Sequence, residues 1–220
     1  MQNDFWQKMW ASGVVGFHQP EVNAYLKAHW HKLLTTDHKA MAGEVLVPLS
    51  GKSLDMLWLK EQGHDILAVE LSLKALEEFI EENHLHRRFS IQDLVHERFC
   101  GYELEAMRLF CGDFFHLTRE DCQDVVAVYD RAALVALPPE MRADYAKHLL
   151  EILPPDTPML LIALDYDQSL RNGPPFAVSE QEIHTLYGEH YQIEKVQEDK
   201  FERKGVETVE STYLLNFREN

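Results

Sequence analysis

The chain has 220 residues, of which 45% are hydrophobic, and this is enough for one globular domain with a core of its own. Aspartate and glutamate number 37 against 21 lysine and arginine residues, so the formal net charge is -16. A surface this acidic repels phosphate backbones, so we expect no nucleic-acid partner and a small substrate rather than a polymer.

The cysteines and the N-terminus indicate a protein of the reducing cytoplasm. The 3 cysteines form no C-x-x-C pair, which argues against a disulfide framework and against a zinc knuckle. The first residues carry Asp4 and Lys8 and lack the apolar run of a signal peptide. The longest apolar run, residues 159–164, is far too short to span a bilayer, so we expect no membrane partner.

Short apolar runs alternate with amphipathic stretches along the first half of the chain. The pattern predicts strands over residues 45–49 and 66–70 and helices over residues 52–62 and 72–84. Gly63 is placed to end the first of these helices. This strand–helix order is typical of a parallel sheet with helices on both faces.

The alternation continues, after a segment without a clear pattern over residues 85–108, to the C-terminus. Strands are predicted over residues 107–111, 124–129 and 158–164, with a helix from residue 138 to about residue 150. Ser179 and Glu182 are spaced as a capping box that opens another helix. Residues 191–217 predict two antiparallel strands. We therefore expect a doubly wound α/β domain with a mostly parallel sheet and an antiparallel C-terminal edge.

Two strand ends carry residues suited to a nucleoside. Ligands of open α/β sheets bind at the carboxyl ends of the strands, and Gly51 there lets the backbone approach a ligand closely. Glu70 ends the second strand about 20 residues later, where a carboxylate can accept both hydroxyls of a ribose. The alternative interpretation of Glu70 is an acid that ends a strand in solvent.

Two phosphate-binding motifs are incomplete in this chain. Gly51-Lys52-Ser53 resembles the end of a P-loop, but the first glycine of that motif is replaced by Leu46. Only Gly51 remains of the G-x-G-x-x-G pattern in the same turn. A nucleoside without phosphates therefore fits better, and S-adenosylmethionine is the common ligand of this kind.

The third and fourth strand ends add candidates for the same cleft. Asp113 is placed to accept a hydrogen bond from the adenine amine, and Phe114 to cover the ring. Arg131 is placed to bind a carboxylate through both arms of its guanidinium. The alternatives are a turn followed by core aromatics for the first pair, and a surface ion pair with Asp130 or another acid for Arg131.

Metal ligands are not indicated. His-x-His pairs begin at His29 and His84, but no third ligand stands at metal spacing, so we predict no metal. The segment from Asn172 to Phe176 echoes the N-P-P-[YF] motif of DNA amino methyltransferases, but Gly173 interrupts it.

Several motifs occur in one order along nearly the whole chain. They are FW and W at residues 5–10, GFHQ at 16–19, VLVPLSGKSLD at 45–55, GH and VELS at 63–72, YDRAAL at 129–134 and GPPF at 173–176. Together they resemble the thiopurine S-methyltransferase family. Ser50 stands where many members carry cysteine, and a turn lined by backbone should tolerate that change.

The resemblance implies a class I methyltransferase fold, with a Rossmann-like sheet of seven strands, and S-adenosylmethionine as methyl donor with S-adenosylhomocysteine as product. The positions similar to the family's cofactor-contacting residues are Trp10, Leu49, Glu70 and Arg131. Asp113 and Phe114 match the adenine-side segment, and Phe17 and Arg203 match acceptor-site positions.

The activity implied by the resemblance is in-line methyl transfer to the sulfur of thiopurines, or to similar small thiol, selenium or tellurium acceptors. Such acceptors are anionic or nearly so at neutral pH, so no general base is predicted. Transfer to a halide, thiocyanate or a metalloid and a non-catalytic S-adenosylmethionine-binding module are the alternatives. The resemblance also implies a monomer with a single domain over residues 1–220, divided into a helical lid over 1–35 and a catalytic core over 40–220.

Overall fold

The computed structural model of the chain describes residues 3–13, 18–33 and 43–218. The helices in these ranges are α1 Asn3–Ser12, α2 Ala24–Leu33, α3 Asp55–Glu61, α4 Leu73–Glu82, α5 Pro139–Ile152 and α6 Glu180–Tyr187. The strands there are β1 Glu44–Pro48, β2 Asp65–Glu70, β3 Gln92–Asp93, β4 Cys100–Leu104, β5 Met107–Cys111, β6 Val125–Arg131, β7 Met159–Tyr166, β8 Tyr191–Arg203 and β9 Val206–Phe217. Within the same ranges, each helix is too short or too polar to cross a membrane.

One sheet organises the described part of the chain, in the order β3-β4-β5-β2-β1-β6-β7-β9-β8. The strands from β5 to β7 pair in parallel, whereas β9 runs antiparallel to both β7 and β8. The predicted α/β class, with a mostly parallel sheet and an antiparallel C-terminal edge, is therefore confirmed.

The sheet also has two strands more than the seven expected. β3 and β4 form an antiparallel edge beside β5, within the segment whose pattern was unclear. Both residues of β3 are exposed. β4 contains Gly101 at a φ of 135°, a backbone conformation that L side chains rarely adopt. Strands this short carry too few residues to show an apolar alternation, so periodicity does not detect them.

Helices cover both faces of the sheet and bury its strands. Leu46 of β1 packs into a core with Tyr145 and Leu149 of α5. Its neighbours Val45 and Val47 face the other core, which contains side chains of α2, α3 and α4. Successive side chains of a strand point to opposite faces, so a strand covered on both sides is apolar along its whole length. This explains the continuous apolar runs in the sequence.

The capping box that begins α6 forms only in part. The Ser179 hydroxyl accepts a hydrogen bond from the Glu182 N–H at 3.2 Å, as predicted. The Glu182 carboxylate instead places both oxygens 2.7 Å from Nη1 of Arg142, a side chain that is almost wholly buried in α5. A buried guanidinium without a carboxylate is costly, so this partner is preferred over the α6 N-terminus.

The boundary predicted between the lid and the core falls within residues 34–42, outside the described ranges. The described part of the predicted lid contains the helices α1 and α2. The division into a helical lid and a catalytic core stays a prediction.

Asp130 is a fully buried acid near the end of β6. The Tyr145 hydroxyl donates to one carboxylate oxygen at 2.8 Å, and the Leu134 N–H donates to the other at 3.1 Å. Burial raises the pKa of Asp130 from 3.8 to about 6, and these hydrogen bonds oppose the rise only in part.

The raised pKa of Asp130 predicts a change of stability with pH. Between about pH 4 and pH 6 the folded chain keeps a proton that the unfolded chain has lost, so this contribution is full at low pH and is lost as the pH rises through about 6. On lowering the pH from about 7 to about 5, we expect the wild type to gain roughly 1 kcal/mol of unfolding free energy relative to Asp130→Asn. Urea denaturation of both proteins at both pH values measures this. An equal difference at the two pH values would contradict the assignment.

Candidate functional site

The ends of β1 and β2 are joined by the carboxylate of Glu70. Its Oε2 accepts a hydrogen bond from the Gly51 N–H and its Oε1 from the Ser72 N–H, both at 2.9 Å. The turn after β1 places Leu49 at a φ of 46° and Gly51 at 55°, in the left-handed region that costs a non-glycine residue energy. The predicted turn at Gly51 and the predicted acid at the end of the second strand, Glu70, are therefore in direct contact.

Glu70 is buried and not in solvent. Its exposed fraction is 6%, so the alternative of a solvent-facing acid at a strand end is wrong. Burial raises the pKa of the Glu70 carboxyl, and hydrogen bonds from the backbone N–H groups of Ser72 and Gly51 and from the Trp10 side chain oppose the rise. A buried carboxylate held by fixed donors has a defined orientation toward any ligand beside it.

The helix α1 lies against this turn. Trp10 is only 2% exposed, and Nζ of Lys74 donates to the Trp10 carbonyl at 2.9 Å. That carbonyl belongs to the last turn of α1, where unpaired carbonyl groups favour a cation. Lys74 of α4 thus holds the C-terminal end of α1 over the strand ends, and Trp10 becomes part of the wall of a cavity.

This central cavity has a volume of about 380 Å³, within the range of small-molecule pockets. It contains four of the predicted site residues: Trp10, Leu49, Glu70 and Arg203. Its full lining is Trp6, Met9, Trp10, Leu49, Glu70, Leu71, Ala132, Val135, Ala136, Arg171, Asn172, Gly173, Pro174, Pro175, Arg203 and Lys204. The lining combines apolar walls with a few charged groups, as ligand sites usually do.

A smaller cavity of about 60 Å³ adjoins the central one and contains Asp113 and Phe114. The two cavities share Leu49 among their walls. One oxygen of Asp113 accepts from the Phe115 N–H at 3.0 Å, which forms the turn after β5. Phe114 is 5% exposed and packs with its ring centroid 5.1 Å from that of Tyr145. Phe114 is therefore both a core aromatic and a wall of the cavity.

A third cavity, of about 440 Å³, brings together Arg131 and Arg203. It shares Arg203 and the loop residue Pro175 with the central cavity. Asp130 does not pair with Arg131, because its carboxylate is buried on the opposite face of the sheet against Tyr145. The predicted ion pair with Asp130 is therefore wrong, whereas the other form of that alternative, a pair with another acid, is consistent with the interaction between the charges of Arg131 and Glu210.

The third cavity also contains Glu210 of β9, an acid that the sequence analysis did not single out. Burial raises the pKa of Glu210, and the charges of Arg131 and Arg203 oppose the rise. The Tyr25 side chain of α2 hydrogen-bonds to Glu210 and to Asp199. The carboxylate therefore connects the N-terminal helices to the arginines of the cavity.

The structure places seven of the eight predicted site residues around adjoining cavities and adds others. Phe17, predicted for the acceptor site, lies outside the described residues. Arg171, Glu210, Trp6 and His18 line the cavities and were missed. Arg171 directly precedes the segment from Asn172 to Phe176 that echoes the N-P-P-[YF] motif. Its position beside that segment is the sequence feature that could have identified it. Trp6 lies within a recognised motif without having been assigned a role.

Solved methyltransferase structures share this fold. One is the 1,6-didemethyltoxoflavin-N1-methyltransferase of Burkholderia thailandensis with bound 1,6-didemethyltoxoflavin and S-adenosylhomocysteine, at a TM-score of 0.61 and 17% identity, covering 99% of this chain and 87% of that one. Another is a SAM-dependent methyltransferase of Anabaena variabilis, at a TM-score of 0.64 and 12% identity, covering 99% of this chain and 95% of that one. At these identities the similarity concerns the fold.

Sequence comparison places the chain more narrowly. It is 46% identical over 217 residues to the thiopurine S-methyltransferase of Pseudomonas fluorescens strain Pf0-1, covering 96% of each chain. It is 42% identical over 226 residues to that of Nitrosospira multiformis, covering 99% of each. The family model described as thiopurine S-methyltransferase matches residues 1–216. The chain belongs to the thiopurine S-methyltransferase family.

Proposed function

We propose that the chain transfers a methyl group from S-adenosylmethionine to the sulfur of a thiopurine or of a similar small thiol. The observation that carries the proposal is the buried Glu70 carboxylate at the joined strand ends, which opens onto a cavity of about 380 Å³. Membership of the thiopurine S-methyltransferase family supports the same activity.

The residues around Glu70 fit the adenosine part of the donor. A carboxylate accepts about four hydrogen bonds. The N–H groups of Gly51 and Ser72 use one position on each oxygen, and the Leu71 N–H and the Trp10 side chain also donate to this carboxylate. In the proposed complex the ribose hydroxyls take the place of part of these donors on Glu70, while Asp113 and Phe114 contact the adenine.

S-adenosylmethionine supplies a methyl group bonded to a positively charged sulfonium sulfur. Trp10 lines the central cavity, and an aromatic ring there attracts a cation through its face. Leu49 and Leu71 provide apolar wall beside it and exclude water. These residues bind and orient the donor, and none of them needs to exchange a proton.

Arg131 and Arg203 fit the acceptor. Both line the third cavity, and Arg203 also lines the central one, so Arg203 stands where the two cavities meet. In the proposed reaction the acceptor sulfur forms a bond to the methyl carbon as the bond to the sulfonium sulfur breaks, and the leaving sulfur keeps the electron pair. The arginines hold an anionic acceptor in line, which is the main requirement of a displacement.

The same chemistry extends to selenium and tellurium anions, and we include them in the proposal as acceptors. We also propose that the chain acts as a monomer in the cytoplasm. The described cysteines are all free thiols, which suits a reducing compartment.

A direct assay tests the proposed activity. We expect the purified chain to bind S-adenosylmethionine and S-adenosylhomocysteine in calorimetric titrations and to methylate 6-mercaptopurine, with tellurite and thiocyanate as comparison acceptors. Turnover of thiocyanate alone would indicate a methyltransferase for another nucleophile. Binding of the nucleosides without turnover of any acceptor would contradict the enzymatic proposal and indicate a binding module.

Replacing Glu70 tests its proposed contact with the methyl donor. We expect Glu70→Ala to weaken S-adenosylhomocysteine binding by about 1.5–3 kcal/mol, because hydrogen bonds to a charged group are lost. Glu61→Ala, on the exposed end of α3, is the matched control and should bind like the wild type. Calorimetry measures both, and thermal unfolding shows whether Glu70→Ala is folded. Unchanged binding by a folded Glu70→Ala would remove Glu70 from the donor site.

Replacing Arg203 separates the acceptor site from the donor site. We expect Arg203→Ala to raise the KM for 6-mercaptopurine by about tenfold and the KM for S-adenosylmethionine by less than about twofold, since its proposed contact is with the acceptor. Arg87→Ala changes the net charge equally at an exposed position and serves as the control. Steady-state kinetics with each substrate varied in turn gives both values. Unaltered acceptor kinetics would exclude Arg203 from this role.

A further inference from the structure

Positive charge is concentrated on the acceptor side of the cleft of this acidic chain. Arg171, Arg203 and Lys204 line the central cavity, and Arg131 and Arg203 line the adjoining third cavity. The formal net charge of the whole chain is -16, so these cavities oppose the general charge of the protein. A local field of this kind raises the concentration of anions within a cleft.

The guanidinium of Arg171 is restrained by its neighbours, but one of its nitrogens lacks a hydrogen-bond partner among the described residues. Its Cζ lies 4.4 Å from the centroid of the Tyr166 ring, a cation–π contact that restrains the group. The Tyr166 hydroxyl in turn donates to the Pro175 carbonyl at 2.6 Å, which holds the ring against the loop of the cavity. Nη1 of Arg171 is buried and has no hydrogen-bond partner among the described residues. A buried donor of this kind is uncommon, and it meets an acceptor of a cavity ligand only when the side chain turns that nitrogen toward the cavity.

The two acids that line these cavities, Glu70 and Glu210, already have partners within the chain. Glu70 is held by backbone N–H groups at the strand ends. Glu210 faces both Arg131 and Arg203 across the third cavity and hydrogen-bonds to Tyr25. Burial and the charge of Arg171 lower the pKa of Arg203, while Glu210 opposes this. The guanidinium groups therefore repel one another, and an additional anion between them would relieve that repulsion.

We infer that Arg171 determines acceptor specificity together with Arg203, and that the site prefers thiols carrying a second anionic group such as a carboxylate. This inference rests on the proposed function, because it concerns the acceptor of the same reaction. A planar guanidinium binds a carboxylate through two donors, and the contact with Tyr166 already restrains the side chain, so less freedom is lost on binding. Glu210 sets the limit of the preference, since its carboxylate competes for the same arginines.

A matched pair of acceptors tests the preference by turnover. 4-Mercaptobenzoate and 4-mercaptobenzamide have the same ring and thiol and differ by one charge remote from the sulfur. We expect the wild type to favour the benzoate in kcat/KM, and Arg171→Gln to reduce that preference about tenfold through KM for the benzoate. Arg171→Lys should restore part of it. Glu210→Gln should increase the preference, because a competing anion is removed.

The exposed Arg87 supplies the control, since Arg87→Gln changes the net charge by the same amount and should leave the preference unchanged. If Arg171→Gln slows both thiols equally or leaves their ratio unaltered, Arg171 acts only through its stack on Tyr166 and the inference is overturned. Thermal unfolding of each variant shows whether it is folded, and a folded Arg171→Lys keeps the test decisive if Arg171→Gln is not.

A binding measurement separates this inference from the proposed reaction. 4-(Methylthio)benzoate and 4-(methylthio)benzamide cannot accept a methyl group in the same way, and calorimetry with the full chain saturated with S-adenosylhomocysteine measures their affinities. Tighter binding of the benzoate that depends on Arg171 supports the inference even if no thiol is methylated. Equal affinities in a chain that methylates both thiols would overturn the inference and leave the proposed function intact.

Discussion

The contact on which the site depends is the pair of hydrogen bonds from the Gly51 and Ser72 N–H groups to the Glu70 carboxylate, both at 2.9 Å. They tie the turn after β1 to the end of β2 and hold a buried charge in one orientation. Burial alone raises the pKa of that carboxyl, and the backbone donors oppose the rise. A carboxylate fixed in this way is ready for a polar ligand without rearrangement, which is the condition for tight and oriented binding.

The charges are divided along the cleft. Glu70 and the Trp10 ring lie toward one end, where the proposed donor brings a positive sulfonium. Arg131 and Arg203 lie toward the other, where the proposed acceptor brings a negative charge. In the proposed reaction a cation and an anion become two neutral products. A water-poor cavity favours such neutralisation, because solvation of the separated charges is what opposes it in water. The Lys74 contact that holds α1 over the cleft serves this exclusion of water.

Local sequence determined the class of the fold and indicated the residues of the proposed donor side. Strands covered on both faces must be apolar along their length, so β1, β2 and β7 were visible as runs. Gly51 and Glu70 could be paired because the carboxyl ends of neighbouring parallel strands meet at one edge of the sheet. The resemblance contributed Trp10 and Arg203, which no periodicity would have selected.

Only the tertiary structure decided which charged groups of the proposed acceptor side face one another and which partners several side chains have. Arg171 comes from a loop, Arg203 and Glu210 from the ends and middle of a hairpin, and their meeting depends on how β9 inserts beside β7. The Glu182 carboxylate pairs with the buried Arg142 and does not cap the helix as predicted. These contacts join residues that are distant along the chain, and no local pattern encodes them. The sequence therefore determined what depends on burial and periodicity, whereas packing decided which charges face one another.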